Sequence, residues 1–141
     1  METDEQVKNI ISPLLDGMEL SLVEISIGRQ RGNVKVNLVL YKEGGISLDH
    51  LTRAQKVLRP RLELEYDREN LSLEISSPGI SRVIKSPHEY SIFIGRQFRL
   101  LLDEEWVDCI LKETGVDNIM VEIEKKITEI PIHDIKKAKL V

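Results

Sequence analysis

The 141-residue chain is 41% hydrophobic and 31% charged, a balance ordinary for a soluble globular protein of one domain or of two modules of about 60 to 80 residues each. No apolar run approaches the roughly 20 residues of a membrane span, and the acidic start "METDEQVKNI" lacks the features of a secretory signal, so a cytoplasmic protein without a membrane partner is expected. A net charge of −4 withholds the basic surplus that duplex binding demands.

The first helix is expected from Thr3, where "TDEQ" matches a capping box. Val7, Ile10, Ile11, Leu14, Leu15 and Met18 follow at helical spacing. Pro13 should kink this helix or divide it, and Gly17 is a plausible C-terminal cap. Two strands, "LSLVEISIG" and "NVKVNLVLY", follow as a hairpin joined by "GRQRG", with Val34, Val36, Leu38 and Leu40 sharing one face. After Gly44 and Gly45, Ser47 caps a second helix with Asp49 in its first turn and a buried stripe of Leu48, Leu51, Ala54, Leu58 and Leu62. Pro60 should bend or shorten its end. The third strand, "NLSLEIS", alternates Leu71, Leu73 and Ile75 inward against Ser72, Glu74 and Ser76 outward. The first half is therefore an α+β layer, two helices covering one side of a three-stranded sheet.

After Gly79 the texture changes to five short strands, "RQFRLLL", "EWVDCILKET", "NIMVEIE", "KITEIPI" and "KKAKLV", separated by turn residues. "GVDN" suits a tight turn, and Pro131 with "HDI" a turn of 3₁₀ helix. Five strands in about 50 residues suggest a small closed barrel, which removes exposed edges. The expected organisation is an N-terminal α+β domain over 1–80, a linker over 81–90 and a β-barrel over 91–141. Through Ile80 the chain carries 13 acidic and 10 basic residues, and beyond it 11 and 10, so the acidic bias lies in the first half. Such a surface attracts a basic partner.

Between the halves stands "LEISSPGISRVI". Pro78 fixes its own φ and pushes Ser77 toward extended backbone, while Gly79 is free to take positive φ, so Ser76, Ser77, Pro78 and Gly79 turn the chain sharply off the third strand. A stiff turn at a domain junction sets an angle. Arg82 lies just beyond, its planar fork able to tie carbonyls or a carboxylate from both modules, although composition alone favours an ordinary strand exit followed by a solvated arginine.

Catalytic chemistry finds no constellation, and the protein is expected not to be an enzyme. Ser76 and Ser77 lack a G-x-S-x-G elbow and an assignable histidine partner. His50 and His133 suit surface or turn positions, His88 a linker, and Asp103, Glu104 and Glu105 a solvated turn. Neither phosphate fingerprint is present. The single cysteine, Cys109, cannot form an internal disulfide and sits in an alternating strand pattern, where packing is its expected role. Three scattered histidines with one cysteine offer no metal spacing, and no cofactor is expected. For RNA, a KH-type G-x-x-G clamp and an aromatic stacking strip are both missing. The basic clusters Arg29 with Arg31, and Lys136, Lys137 and Lys139, remain as candidates for secondary contacts with rRNA.

Taken in order, "GMELSLVEI", "GGISLDHLTRAQKVL", "LEISSPGISR", "FIGRQFRLLL" and "IPIHDIKKAKLV" span nearly the whole chain, and the sequence resembles the ribosome maturation factor RimP family. The resemblance implies an α+β N-terminal domain whose last strand runs into "SSPG", followed by an arginine and a small SH3-like (Sm-like) barrel. It also implies a non-enzymatic assembly factor for the 30S subunit or its precursor. The implied direct partner is a basic small-subunit ribosomal protein, the twelfth in the usual naming, met by the barrel and the junction, with 16S rRNA as a further contact. A monomer is expected. Two positions depart from the family pattern: Ser81 stands where an acidic residue is usual and Val83 where a proline is usual, so other groups must hold Arg82 or leave it looser. The rival reading is an RNA-binding regulator that uses the barrel as an Sm-like surface.

Overall fold

The computed structural model describes residues 4–79 and 82–141 and divides the chain into two compact units, Met1–Pro78 and Gly79–Val141. In the first unit, helix α1 (Asp4–Gly17) precedes strands β1 (Ser21–Gln30) and β2 (Asn33–Tyr41), helix α2 (Leu48–Leu62) and strand β3 (Leu71–Ser76). The sheet order is β1-β2-β3, antiparallel for the first pair and parallel for the second. Val7, Ile11 and Leu15 of α1 and Ala54, Leu58 and Leu62 of α2 close a core over Val34, Val36, Leu38, Leu40, Leu71 and Leu73, as the alternating and helical periods require. Thr3, the expected cap of α1, lies outside the described residues.

Several local expectations change. Helix α1 is not divided at Pro13 but runs through it, because its apolar stripe continues to Leu15 on the sheet. Its cap falls at Glu19, not Gly17: Glu19 takes the left-handed conformation (φ 58°), its N–H donates to Asp16, and Leu20 N–H reaches back to Leu15 at 2.9 Å. That is a Schellman arrangement, set by burial of Leu15 and Leu20 together. Helix α2 likewise runs past Pro60 to Leu62. Its cap at Ser47 is as expected, but the residue completing the box is His50: the Ser47 hydroxyl accepts from His50 N–H, and Ser47 N–H donates to His50 Nδ1 at 2.9 Å. The hairpin connection is shorter than "GRQRG", for Gln30 pairs with Asn33 and only Arg31 and Gly32 form the turn, both with positive φ as a type I′ turn requires.

In the second unit a short helix α3 (Glu89–Ile92) precedes strands β4 (Gln97–Leu102), β5 (Glu105–Thr114), β6 (Asn118–Ile123), β7 (Lys126–Pro131) and β8 (Ile135–Leu140), with the 3₁₀ turn at Ile132–Asp134. All five expected strands are present. Their order, β7-β6-β5-β4-β8, is wholly antiparallel and open: among the described residues no ladder joins β7 to β8, so the expected closed barrel is not found. Bulges between Leu101 and Leu102 and between Leu111 and Glu113 bend the sheet around Phe98, Leu100, Leu111, Ile119, Val121 and Leu140. Cys109 packs in this core, where burial, and then the neighbouring Asp108 charge, push its thiol up to about 11.

The stretch expected as a linker belongs, where described, to this second unit. Ile84 N–H donates to Ala138, Leu140 N–H donates to Arg82, and Val83 forms a bridge with Lys139, so the chain runs along β8 before turning into α3. Open backbone groups at the β8 edge recruit it. Ile80 and Ser81 lie outside the described residues.

Removing the α2 cap gives a direct check on the first unit. Ser47→Ala is expected to lower unfolding stability by about 1 kcal/mol, read as a fall in denaturant midpoint at unchanged slope; an unchanged midpoint would mean the cap is energetically idle.

Candidate functional site

Arg82 occupies the start of the second unit, and its environment is the sharpest polar feature there. Its side chain is 9% exposed and that of Glu89 only 1%. Arg82 Nε and Nη2 both lie 2.9 Å from Glu89 Oε1. The other carboxylate oxygen accepts from Lys85 N–H at 3.0 Å and Ser86 N–H at 3.1 Å. A buried carboxylate is tolerated only when its charge is paired and its lone pairs are occupied, and here both conditions hold. The candidate reading of Arg82 as a solvated residue is thus overturned. Its fork is committed to a carboxylate within its own unit.

Glu89 was invisible to the motif reading, yet a signal existed. "SPHE", Ser86 to Glu89, has the spacing of a capping box with proline at the first turn position, and Glu89 does reach back to the Ser86 N–H. The Ser86 hydroxyl meets His88 Nδ1 at 2.9 Å instead, so His88 belongs to the turn leading into α3 and not to a linker.

Of the other junction residues, Ser76 and Ser77 are exposed, Ser76 as the last residue of β3. Gly79 is exposed too, and its φ lies outside the left-handed region it was expected to use. Nothing lies within 4 Å of where a Cβ would stand. Glycine's conformational freedom is therefore not used there through φ.

The basic candidates separate into three places. Arg29, Arg31 and Lys35 line a cleft of about 670 Å³ at the turn end of the first unit's sheet, but Arg29 pairs with the buried Val34 and lies over Tyr66 on the helix-covered face, whereas Lys35 pairs with Gly28 and reaches Glu74 on the opposite face. Lys136 lines a recess with Asp103, Glu129 and Asp134, where carboxylates outnumber it. Lys137 and Lys139 lie on β8 opposite Leu101 and Arg99 of β4. Lys139 Nζ stands 5.0 Å from the ring centroid of Trp106, an exposed residue that no motif singled out. Arg99 is paired with Asp108 across the strands at 3.0 Å.

The two-helix, three-stranded unit followed by a five-stranded antiparallel unit defines a two-module α+β protein whose only deeply buried charged pair among the described residues stands at the entry to the second unit. Residues 10–81 match the RimP N-terminal domain family. Similarity to curated relatives extends further: the chain is 36% identical to the ribosome maturation factor RimP of Borrelia hermsii over 139 residues, 97% of this chain and 95% of that one. It is 34% identical to the proteins of the same name from Borrelia turicatae, with 97% and 95% covered, and Borreliella burgdorferi, with 99% and 97% covered. The chain belongs to the ribosome maturation factor RimP family.

Leaving Glu89 buried without its cation should be costly. Arg82→Ala is expected to destabilise the second unit by about 3 to 5 kcal/mol, read as early loss of Cys109 protection from alkylation while the first unit's transition is unmoved. Equal stability of the variant and the parent would show that the pair contributes nothing net.

Proposed function

We propose that the protein is a non-catalytic maturation factor of the small ribosomal subunit, binding the 30S precursor and leaving the finished particle. The observation that carries this reading is similarity at 36% identity over 97% of the chain to a ribosome maturation factor. No described helix is long and apolar enough to cross a membrane, and cytoplasmic work on a nascent subunit agrees with the reducing conditions a lone buried thiol tolerates.

The proposed direct partner is a basic small-subunit ribosomal protein, the twelfth in the usual naming, attracted by the chain's net charge of −4. The surface offered to it is the junction and the second unit. Within the junction Ser76, Ser77 and Gly79 are exposed enough for direct contact, Pro78 stiffens the turn, and Arg82 supports the segment through Glu89. The second unit is read as a curled SH3-like, Sm-like barrel. Its last strand returns beside its first through a 3₁₀ turn, and bulges bend two of its ladders. Arg29, Arg31, Lys136, Lys137 and Lys139 are candidates for secondary 16S rRNA contacts, Lys136 the weakest because of its acidic surroundings. The factor acts as a monomer. Contacts made to the immature particle and lost in the mature one stabilise the productive arrangement, a shift of populations requiring no covalent step.

The alternative, an Sm-like RNA-binding regulator, draws on Trp106 with Lys137 and Lys139 on one sheet face.

Tagged protein is expected to co-sediment with 30S particles and to be missing from 70S ribosomes, and to raise the rate of 30S reconstitution. Even distribution over both particles with unchanged assembly kinetics would reject the maturation reading, and binding to isolated RNA with none to ribosomal protein would favour the regulator.

A further inference from the structure

A strand at the edge of a sheet presents unpaired N–H and C=O groups to any chain that can lie beside it, and the two sheets, both open among the described residues, end in β1, β3, β7 and β8. Three of these edges are blunted by local means. β8 is covered by segment 82–84, through the bonds of Ile84 and Leu140. β7 is short, begins at Lys126 and ends at Pro131. β1 carries a bulge between Leu22 and Glu24 and turns the charge of Arg29 to the helix-covered face.

The remaining edge, β3, has no lysine, proline or bulge along Leu71–Ser76. In a parallel pair, alternate residues turn both backbone groups away from the neighbouring strand. Because Val34 N–H donates to the Asn70 carbonyl at 2.8 Å, the residues turned away are Leu71, Leu73 and Ile75. Two of their carbonyls are taken from the helix side. Arg59 Nη2 donates to the Leu71 carbonyl at 3.2 Å, and Gln55 Nε2 to that of Leu73 at 3.4 Å, the longer and weaker bond. The pairing of 55 with 73 and 59 with 71 shows α2 running antiparallel to β3, and four residues along a helix, about 6 Å, match two along a strand, about 6.6 Å. Glu63 Oε1 meets Arg59 Nε at 3.0 Å and aims the guanidinium. One turn earlier the same ridge carries Leu51, which has no donor, so Ile75 is left to the end of the strand at Ser76.

We propose that Gln55 and Arg59 guard this edge: they hold its outward carbonyls and lie across it, so that a second copy of the chain cannot add its own β3 there. The inference rests on the reading that the factor acts as a monomer, and it gives that reading a cause.

Gln55→Leu with Arg59→Met removes both donors and keeps the apolar stems. Analytical ultracentrifugation is expected to show the parent single at every concentration and the mass of the double variant rising with concentration toward that of two chains, at unchanged helix content by circular dichroism. Hydrogen exchange locates the contact. The N–H groups of Leu71, Leu73 and Ile75 have no acceptor among the described residues, so they exchange fast in the parent and should slow about ten-fold or more in the associated variant. Glu63→Gln, which loses the ion pair to Arg59 but leaves both donors, should stay single. If the double variant fails to fold, Gln55→Leu alone is expected to associate at higher concentration with the same amides slowed. Folded variants that stay single at every concentration, or association that leaves these three amides fast, would overturn the guard and spare the monomer reading. A parent that associates while the same amides remain fast would do the reverse.

Discussion

A carboxylate at 1% exposure is tolerable only in company, and Glu89 has it: two nitrogens of Arg82 on one oxygen and two backbone N–H groups on the other. This fixes far more than two side chains. The bonds run from the segment that pairs with β8, through the Lys85–Ser86 backbone, to the start of α3, so they decide how the second unit is entered. Tyr90 and Phe93, immediately after Glu89, are then delivered onto Phe98 with ring centroids 6.0 and 6.4 Å apart. Burial, and secondarily the Glu89 charge, push the Tyr90 hydroxyl up to about 12, which keeps the ring neutral among its apolar neighbours. A polar lock thus seats an aromatic cluster.

The same pair shows what holds Arg82: Ser81 before it brings no carboxylate, and the one that meets the guanidinium lies seven residues downstream. Val83 follows, at the position where the resemblance implies a proline. The ladder bonds around it use Ile84 N–H and the Arg82 carbonyl, so a proline at 83, which lacks only its own N–H, would break neither. Either residue is compatible with the bridge to β8.

Period-2 and helical spacing made the elements of both units legible, because burial on one face leaves a mark at every second or third position. Leu71, Leu73 and Ile75 show this plainly, as do Val7, Ile11 and Leu15. What escaped depends on single bonds or on strand partners far away. Glu19 caps α1 because Leu15 and Leu20 pack together, and no propensity favours a glutamate in that conformation. Segment 82–84 looks like a linker until β8, more than fifty residues later, offers its edge. Strand count leaves closure of the second sheet open, because it fixes neither shear nor which edges meet. The candidate residues divided the same way: Arg29 and Arg31 are neighbours in sequence, but pairing with Val34 turns the Arg29 side chain to the helix-covered face beside Tyr66.

Charge placement ties fold to function. A uniformly basic protein of this size would adhere to any rRNA, since each neutralised phosphate releases counterions whatever the sequence. An excess of carboxylates suppresses that background. The recess around Lys136 shows this on a small scale, for an ammonium group that shares it with Asp103, Glu129 and Asp134 stands where a phosphate meets like charge. Where a cation stands relative to its carboxylates, and not how many cations the sequence holds, decides whether it is available to a partner.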